Sequence, residues 1–346
     1  MTYANLLNVS CVDKVEAFCR IRDFLCKRNG TYDYSLTGIG WTLHDSSYAV
    51  DEDNPAVNDW YVIYSGGEST KDDLYFKVTW ISGYLKIEGY QSWDNSTHTG
   101  SSNKYNIANN ETMADSGALT IWVYGDLDSA IIINKLSTSD YRMCLFGKRQ
   151  PGYSDMTGTI ATCSSSLTAG SDVSIAVDSV PTNWAVGKEI FIRTTHNNAV
   201  ATVKIEKITI KTLVGNTITT DLTNSYTANS RLSDWVGYGC QATFSFMSTF
   251  EEFINSAGNF RVQMSQGYNT GISTGAVDPD DYEDRIGLYT LFYTGSNGLP
   301  GYYPNIKVTP AHNATFDAED VLVEEDGTEW RCFHAYSSKY VALKEV

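Results

Sequence analysis

The chain has 346 residues, with 41 Asp or Glu against 25 Lys or Arg, so its formal net charge is −16. This balance excludes the clustered basic surface that nucleic acid contact requires, and we expect no such partner. No apolar run approaches the roughly 20 residues that span a bilayer, and the first residues lack the pattern of a signal peptide. We therefore expect no membrane partner and a protein made and folded in a cytoplasm.

The residue mix indicates many short strands joined by turns. The chain has 23 Tyr and 27 Gly, and Pro is scarce at 7 residues. Aromatic residues favour strands, whereas disordered chains contain few of them. We predict a mainly β fold, and the length is sufficient for two or three domains with cores of their own.

One segment near the start has helical spacing. Apolar residues from Val12 to Leu25 recur on one face of this segment. Ser10, with Asp13 three residues later, resembles an N-terminal cap. Gly30 follows a basic stretch and resembles a C-terminal cap. We predict an amphipathic helix over about 11–28. It is expected to bury its apolar face on a sheet, with packing on a neighbouring subunit as the alternative.

From Trp41 onward the apolar period changes to two. Strands are predicted at 60–65, 74–80 and 84–90, with a tight turn at 82–83. Further strands are predicted at 119–124, 130–134 and 141–146, with a turn at 125–128. Strands at this spacing are typical of an antiparallel sandwich or sheet.

The segment 157–232 differs from its surroundings, because it is rich in Ser and Thr and poor in aromatic residues. We predict that it is an inserted β module, a small barrel or sandwich, and that 1–156 and 233–346 form one discontinuous aromatic-rich domain. The module has turns at Pro181, Gly187 and 214–217. Its predicted core consists of alternating apolar residues: Val173, Ile175, Val177, Ile190, Ile192, Val203, Ile205, Ile208 and Ile218.

The half of the chain after the module contains further strand patterns. We predict strands at 242–247 and 285–293, and a closing hairpin over 321–336. Asp326 and Gly327 form the predicted turn of this hairpin. Trp330, Cys332 and His334 are expected on one of its faces.

Motifs that carry chemistry are missing from the sequence. The seven Cys have neither a CxxC pair nor zinc spacing, so we expect free thiols. The sequence also contains no nucleophile elbow and no phosphate-binding loop. We therefore predict no enzyme, no catalytic, cofactor-binding or metal-binding residue, and no cofactor. The histidines are scattered: His44, His98, His196, His312 and His334.

Two features leave alternatives open. Acidic residues cluster at 51–53 and 278–284. The second run lacks the Gly at the sixth position and the closing Glu of an EF-hand. We therefore expect a solvated loop, with calcium binding as the alternative.

Aromatic side chains favour sheet cores and subunit interfaces, but they also stack on sugars. The tryptophans concerned are Trp60, Trp80, Trp93, Trp122, Trp184, Trp235 and Trp330.

The module, with its Gly187 bend before an apolar strand and its VGNTIT turn at 214–219, resembles a small module of tailed-phage virion proteins. The segments 40–43, 60–69, 89–100, 121–135 and 299–336 are similar to those of a group of tailed-phage structural proteins. The resemblance implies a non-enzymatic, homo-oligomeric virion component of the tail, baseplate or neck (collar). Its partners would be copies of itself and other virion proteins. The alternative is a carbohydrate-binding or depolymerising receptor-binding protein of the phage tail, with a host surface glycan as partner.

Overall fold

The computed structural model describes part of the chain in detail. The described residues are 3–49, 54–68, 74–82, 84–90, 92–101, 117–135, 141–148, 150–151, 161–181, 184–194, 205–233, 238–241, 249–250, 260–262, 275–277, 285–287, 289–295, 298–310, 317–324, 326–336 and 339–346. Within these ranges the chain forms one helix, α1 (Lys14–Leu25), and 28 strands. The prediction of a mainly β, antiparallel fold is confirmed.

The strands fall into three stretches of sequence. Before residue 152 they are β1 (Ala4–Cys11), β2 (Thr42–Ser46), β3 (Trp60–Ser65), β4 (Leu74–Ile81), β5 (Tyr84–Tyr90), β6 (Ser92–Asp94), β7 (Thr99–Ser101), β8 (Leu119–Gly125), β9 (Ser129–Lys135), β10 (Tyr141–Lys148) and β11 (Gln150–Pro151). In the middle they are β12 (Ala161–Thr162), β13 (Gly170–Ala176), β14 (Glu189–Arg193), β15 (Ile205–Thr209), β16 (Thr212–Val214), β17 (Thr217–Leu222) and β18 (Arg231–Ser233). The last are β19 (Tyr238–Gln241), β20 (Thr249–Phe250), β21 (Phe260–Val262), β22 (Gly275–Val277), β23 (Arg285–Gly287), β24 (Tyr289–Gly295), β25 (Gly298–Pro310), β26 (Val321–Val323), β27 (Glu329–Tyr336) and β28 (Lys339–Lys344).

Outside 161–233 the described strands form three large antiparallel sheets and a two-stranded hairpin. The central sheet has the order β1-β8-β9-β10-β19, and the outer sheet has the order β2-β3-β4-β5. The C-terminal sheet has the order β20-β21-β24-β25-β28-β27-β26-β22-β23, and β11 pairs with β25. Strands β6 and β7 form a separate hairpin.

A single large core joins the outer sheet, the central sheet and α1. Trp41 bridges the two sheets, with its ring centroid 5.7 Å from that of Phe76 on β4 and 5.8 Å from that of Phe146 on β10. The helix contributes Phe18, whose ring lies 4.7 Å from that of Tyr61 on β3. All of these side chains are buried, so the outer and central sheets form a β-sandwich with the helix packed into its core.

The helix is shorter than the predicted span of 11–28, and its cap is not Ser10. Ser10 lies in β1, where it pairs with Thr120 of β8. Asp13 is the N-cap instead, because its carboxylate accepts a hydrogen bond from the backbone N–H of Glu16 at 2.9 Å. At the other end the helix stops at Leu25, and Lys27 adopts a left-handed backbone with φ of 52°, well before Gly30.

The central sheet is covered on its second face by the C-terminal sheet. Phe333 of β27 places its ring 5.3 Å from that of Trp122 and 5.7 Å from that of Tyr141. Arg331, also on β27, makes a two-pronged ion pair with Glu345. The structure thus stacks three sheets. This explains the unbroken Ile131 to Ile133 run in β9, since a strand buried on both faces needs apolar residues at every position.

Most of the predicted strands are present. The segments 60–65, 74–80, 84–90, 119–124, 130–134 and 141–146 correspond to β3, β4, β5, β8, β9 and β10, and the hairpin turns at Gly327 with φ of 84°. The segment 285–293 contains two strands, β23 and β24, rather than one. The predicted strand at 242–247 and the side chain of His334 lie outside the described residues.

The middle stretch, 161–233, has a buried cluster of its own and is called the cassette below. It contains a four-stranded sheet of order β12-β18-β14-β15 and a three-stranded sheet of order β13-β17-β16. Of the predicted core, Ile175, Val177, Ile190, Ile192, Ile208 and Ile218 are buried in this cluster, and Val173 packs against it. The side chains of Val203 and Ile205 lie outside the described residues. The buried cluster has further members that were not among the predicted core residues: Ala161, Cys163, Leu167, Trp184, Ile210, Leu222, Tyr226 and Leu232.

Candidate functional site

A surface that combines aromatic and charged side chains lies on the outer sheet, on the face opposite the core. Alternation along β3 turns Tyr61 and Ile63 to the core and Trp60 to the other side. The β6–β7 hairpin lies across this side and inserts Trp93, whose ring is 5.7 Å from that of Trp60 and 5.2 Å from that of Tyr90. We call these rings, together with Asp45, Lys77 and His98, the Trp60 cluster.

A bulge in β2 brings polar side chains to this face. The register between β2 and β3 shifts between Leu43, which packs against the core, and Asp45. The shift places His44 on the aromatic side, where its ring lies 5.1 Å from that of Tyr75. A bulge adds one residue to a strand and redirects its side chains, so two neighbouring residues can serve the same face.

Asp45 fixes the orientation of two rings. Its Oδ2 accepts hydrogen bonds from Trp93 Nε1 at 2.7 Å and from His98 Nδ1 at 2.9 Å, and its Oδ1 accepts one from the backbone N–H of Ser46. Burial alone would raise the pKa of Asp45, but the hydrogen bonds from His98 and Trp93 outweigh it and hold that pKa below its usual value. An ionised carboxylate only accepts hydrogen bonds, so the proton of a neutral His98 sits on Nδ1 and its Nε2 is an acceptor.

The hairpin that carries His98 is fitted closely to the sheet. His98 has a left-handed backbone with φ of 54°, which ends the turn and directs the ring to Asp45. Gly100 packs directly on the ring of Tyr90, since a Cβ at this position would be 2.0 Å from Tyr90 Cδ1. A glycine is therefore required for the hairpin to lie flat across the rings.

Lys77 completes the cluster. Its Nζ lies 4.4 Å from the ring centroid of Trp60 and 5.7 Å from that of Trp93, a cation–π arrangement. Burial lowers the pKa of Lys77. The cluster therefore combines an aromatic platform, an ammonium donor and an oriented imidazole, which suits it to bind a ligand that has both an apolar face and hydroxyl groups.

The other sequence candidates are spread over the molecule. Trp80 and Trp122 lie in sheet cores, and Trp184 and Trp330 lie in the cassette cluster and in the C-terminal sheet. Trp235, His196, His312 and the acidic runs at 51–53 and 278–284 lie outside the described residues. Six cysteines are described and carry thiols, of which Cys11, Cys19, Cys144, Cys163 and Cys332 are buried and Cys26 is half-buried.

A second buried polar group lies where the three sheets meet. Asp126, in the turn between β8 and β9, is 3% exposed, and its Oδ1 accepts hydrogen bonds from the backbone N–H groups of Asp128 and Ser129, both at 2.8 Å. Its Oδ2 accepts one from Asn305 of β25 at 3.0 Å. Burial, with smaller effects from Asp128 and Glu68, raises the pKa of Asp126 to about 6.

Asp126→Asn is expected to remove a pH dependence of stability between about pH 4 and pH 6. The folded chain binds this proton more tightly than the unfolded chain, so the stabilisation from the protonated carboxyl is present at low pH and is lost as the pH rises through 6. The Asn side chain keeps an acceptor for the two backbone N–H groups and carries no charge. At pH 7 the variant is expected to be more stable by about 1–3 kcal/mol, since one pKa unit corresponds to about 1.4 kcal/mol.

Urea unfolding at a series of pH values measures this effect. Asp326→Asn is the matched control, because Asp326 lies in an exposed turn and its pKa is lowered, so it titrates below this pH range. Equal slopes for wild type and Asp126→Asn between pH 4 and 6 would contradict the assignment of a buried charge at this junction.

The chain matches no protein-family model, and a comparison with curated proteins finds no match either. Among the described residues, no helix has the length and apolar character needed to cross a membrane. The same part of the chain contains no group of three or more His, Cys, Asp or Glu residues arranged to hold a metal ion.

Proposed function

We propose that this protein is a non-enzymatic structural component of a tailed-phage virion, in the tail, baseplate or neck. It acts by assembling with copies of itself and with other virion proteins. The observation that carries the proposal is the cassette, whose order of strands and turns resembles a module of such proteins. The strands that flank it in the chain pair in the central sheet, where Lys148 at the end of β10 pairs with Tyr238 at the start of β19.

The pairing of β10 with β19 supports an inserted module. The chain leaves the central sheet after β10 and returns beside the point of departure, and the register between them continues without a break from Leu145 and Gln241 to Lys148 and Tyr238. A segment inserted at such a point can vary or project without disturbing the sheet that carries it. A particle protein can use this arrangement to present a second surface to a neighbouring subunit.

The stacked sheets also support an assembly role. Three sheets packed through two apolar layers form a rigid body. The chain is also rich in Tyr and Trp, which are enriched at interfaces between subunits. Closed rings of identical subunits need surfaces that do not deform when they pair. The division into a discontinuous domain and an inserted module is part of this proposal.

Mass spectrometry of purified particles tests the proposal. We expect peptides of this chain in particles that have been banded on a density gradient and treated with protease, at a copy number that matches a multiple of the particle symmetry. A soluble protein of the infected cell, expressed at a similar level, is the control for contamination. Peptides confined to the cell lysate would contradict a virion role.

The second candidate is a carbohydrate-binding receptor protein of the phage tail, and the Trp60 cluster favours it. Depolymerisation would need two carboxyl groups across a sugar cleft. Asp45 is engaged through both of its oxygens with Ser46, Trp93 and His98, so its geometry supports a positioning role. Within this candidate, the cluster supports binding rather than hydrolysis.

A further inference from the structure

We propose that the Trp60 cluster is a binding site for a neutral saccharide, with the apolar face of a pyranose ring against the indole of Trp60 and a sugar hydroxyl donating to Nε2 of His98. The inference rests on the carbohydrate-binding candidate and gives it a location and a ligand class. It is independent of where the protein sits in a particle.

The aromatic platform is Trp60, which is half-buried and contacted by two other rings. The Trp93 and His98 rings lie at 5.7 Å and 5.8 Å from it with interplanar angles of 61° and 62°, both T-shaped contacts. T-shaped contacts of this kind fix the plane of the indole. The platform is therefore oriented before any ligand arrives.

The polar partner is His98, whose side chain is 56% exposed. Its Nδ1 is engaged with Asp45, so its Nε2 is the ring nitrogen left to accept a hydrogen bond from a ligand when the ring is neutral. Sugar hydroxyls are both donors and acceptors. Nε2 of His98 therefore offers an acceptor beside the indole. The ammonium of Lys77 lies over one face of that indole, so the sugar is placed on the opposite face.

The charges around the platform favour a neutral ligand. Lys77 lies within electrostatic range of Glu88 and Asp45, and the neighbouring Lys86 forms an ion pair of 2.8 Å with Glu88. Local charges are thus balanced, and the net charge of −16 repels anionic ligands at long range. A saccharide without carboxylate or sulfate groups fits this environment better than an acidic one.

The site is preorganised by the hairpin contacts. Trp93 is tied to Asp45, Asn95 Nδ2 donates to the backbone carbonyl of His44 at 3.2 Å, and Gly100 rests on Tyr90. A site that needs no ordering on binding loses less affinity to conformational entropy. These tethers hold His98 in place beside Trp60.

Titration of the full-length chain with neutral hexasaccharides tests the inference. The probes are maltohexaose, cellohexaose and mannohexaose, followed by a glycan array, and intrinsic tryptophan fluorescence and calorimetry are the readouts. We expect a dissociation constant below about 1 mM for at least one probe. Trp60→Ala is expected to weaken binding about tenfold, the equivalent of about 1.4 kcal/mol, and Trp60→Phe less.

Two further variants make the result interpretable. His98→Asn keeps a residue that tolerates the left-handed backbone but shortens the side chain, and we expect severalfold weaker binding with an unchanged fold by near-UV circular dichroism. Tyr32→Ala is the matched control, because Tyr32 is a half-buried aromatic that stacks on Arg20 beside the helix, away from the cluster.

Two results would overturn the inference. One is no binding of any neutral probe up to about 10 mM, which is weaker than useful recognition. The other is binding that Trp60→Ala and His98→Asn leave unchanged, since the sugar would then lie elsewhere. Either result can coexist with peptides of the chain in purified particles, so the failure of this site and the failure of the virion role are separate outcomes.

Discussion

A variant in which a short Gly/Ser linker replaces residues 158–232 is expected to be soluble and to unfold cooperatively. Its near-UV circular dichroism should keep the signal of the packed tryptophans outside the cassette. We expect the unfolding free energy to change by no more than roughly 2 kcal/mol, because the entropy of closing a loop depends only weakly on its length. This is the largest change to the chain that the structure predicts it will tolerate.

The expectation rests on where the described contacts of the cassette lie. All residues of its buried cluster lie between 161 and 232. The loop at 223–226 is also held by a cassette residue. The Glu206 carboxylate accepts hydrogen bonds from the backbone N–H groups of Thr223 and Asn224 and from the Tyr226 hydroxyl. The two chain segments that the linker joins also start from neighbouring points, because Lys148 and Tyr238 pair in the central sheet.

The deletion also removes one buried face of the cassette that lies outside its own core. Phe191 and Arg193 on β14 point away from the cassette core and are nevertheless buried. We expect this face to be the contact between the cassette and the remainder of the chain, so its loss accounts for the small change in stability.

The isolated segment 158–232 is the companion sample, and we expect it to show a β-type spectrum and a cooperative transition. Ile190→Asp in that segment is the unfolded control, because Ile190 is fully buried in the cluster. An insoluble deletion variant, or one that binds a hydrophobic dye as a molten species does, would show that the cassette is part of one continuous core.

Phe333→Ala is expected to be the most damaging single substitution, with a loss of about 3–5 kcal/mol in the free energy of unfolding. Phe333 is fully buried, and its ring meets Trp122, Tyr124 and Tyr141. Truncation leaves a cavity between the central and C-terminal sheets that these large rings cannot fill without moving from their positions. Urea unfolding followed by tryptophan fluorescence measures the loss.

Two controls accompany Phe333→Ala. Phe333→Leu keeps part of the buried volume and is expected to lose less, and Leu36→Ala changes a side chain that is 90% exposed and is expected to stay within about 0.5 kcal/mol of wild type. A loss below about 1 kcal/mol for Phe333→Ala would contradict the stacking of the third sheet on the second, because cavities in packed cores cost more than that.

The outer and central strands were predictable because local signals agree. Alternation of apolar residues marks β3 and β4, and the turn-forming residues at 125–128 separate β8 from β9. The start of the helix was not predictable, because Ser10 and Asp13 are both good capping residues. Pairing of Ser10 with Thr120, far along the chain, decides between them. The order of the C-terminal sheet has the same non-local origin.

The candidate site was only partly visible in the sequence. Trp60, Trp93, His44 and His98 were recognised one by one, as aromatic residues or scattered histidines. Their meeting depends on the bulge before Asp45 and on the hairpin folding back over the sheet, and neither has a distinctive composition. The available signals were weak ones, namely the turn-forming residues 94–97 and Gly100 at the point of closest approach.

A cryo-EM map of the intact particle tests the proposed function most directly. We expect density for the three stacked sheets in several symmetry-related copies at the tail, baseplate or neck, with the cassette on the outside of each copy or against a neighbouring subunit. A well-resolved map of the whole particle in which no density accommodates the stacked sheets would contradict it.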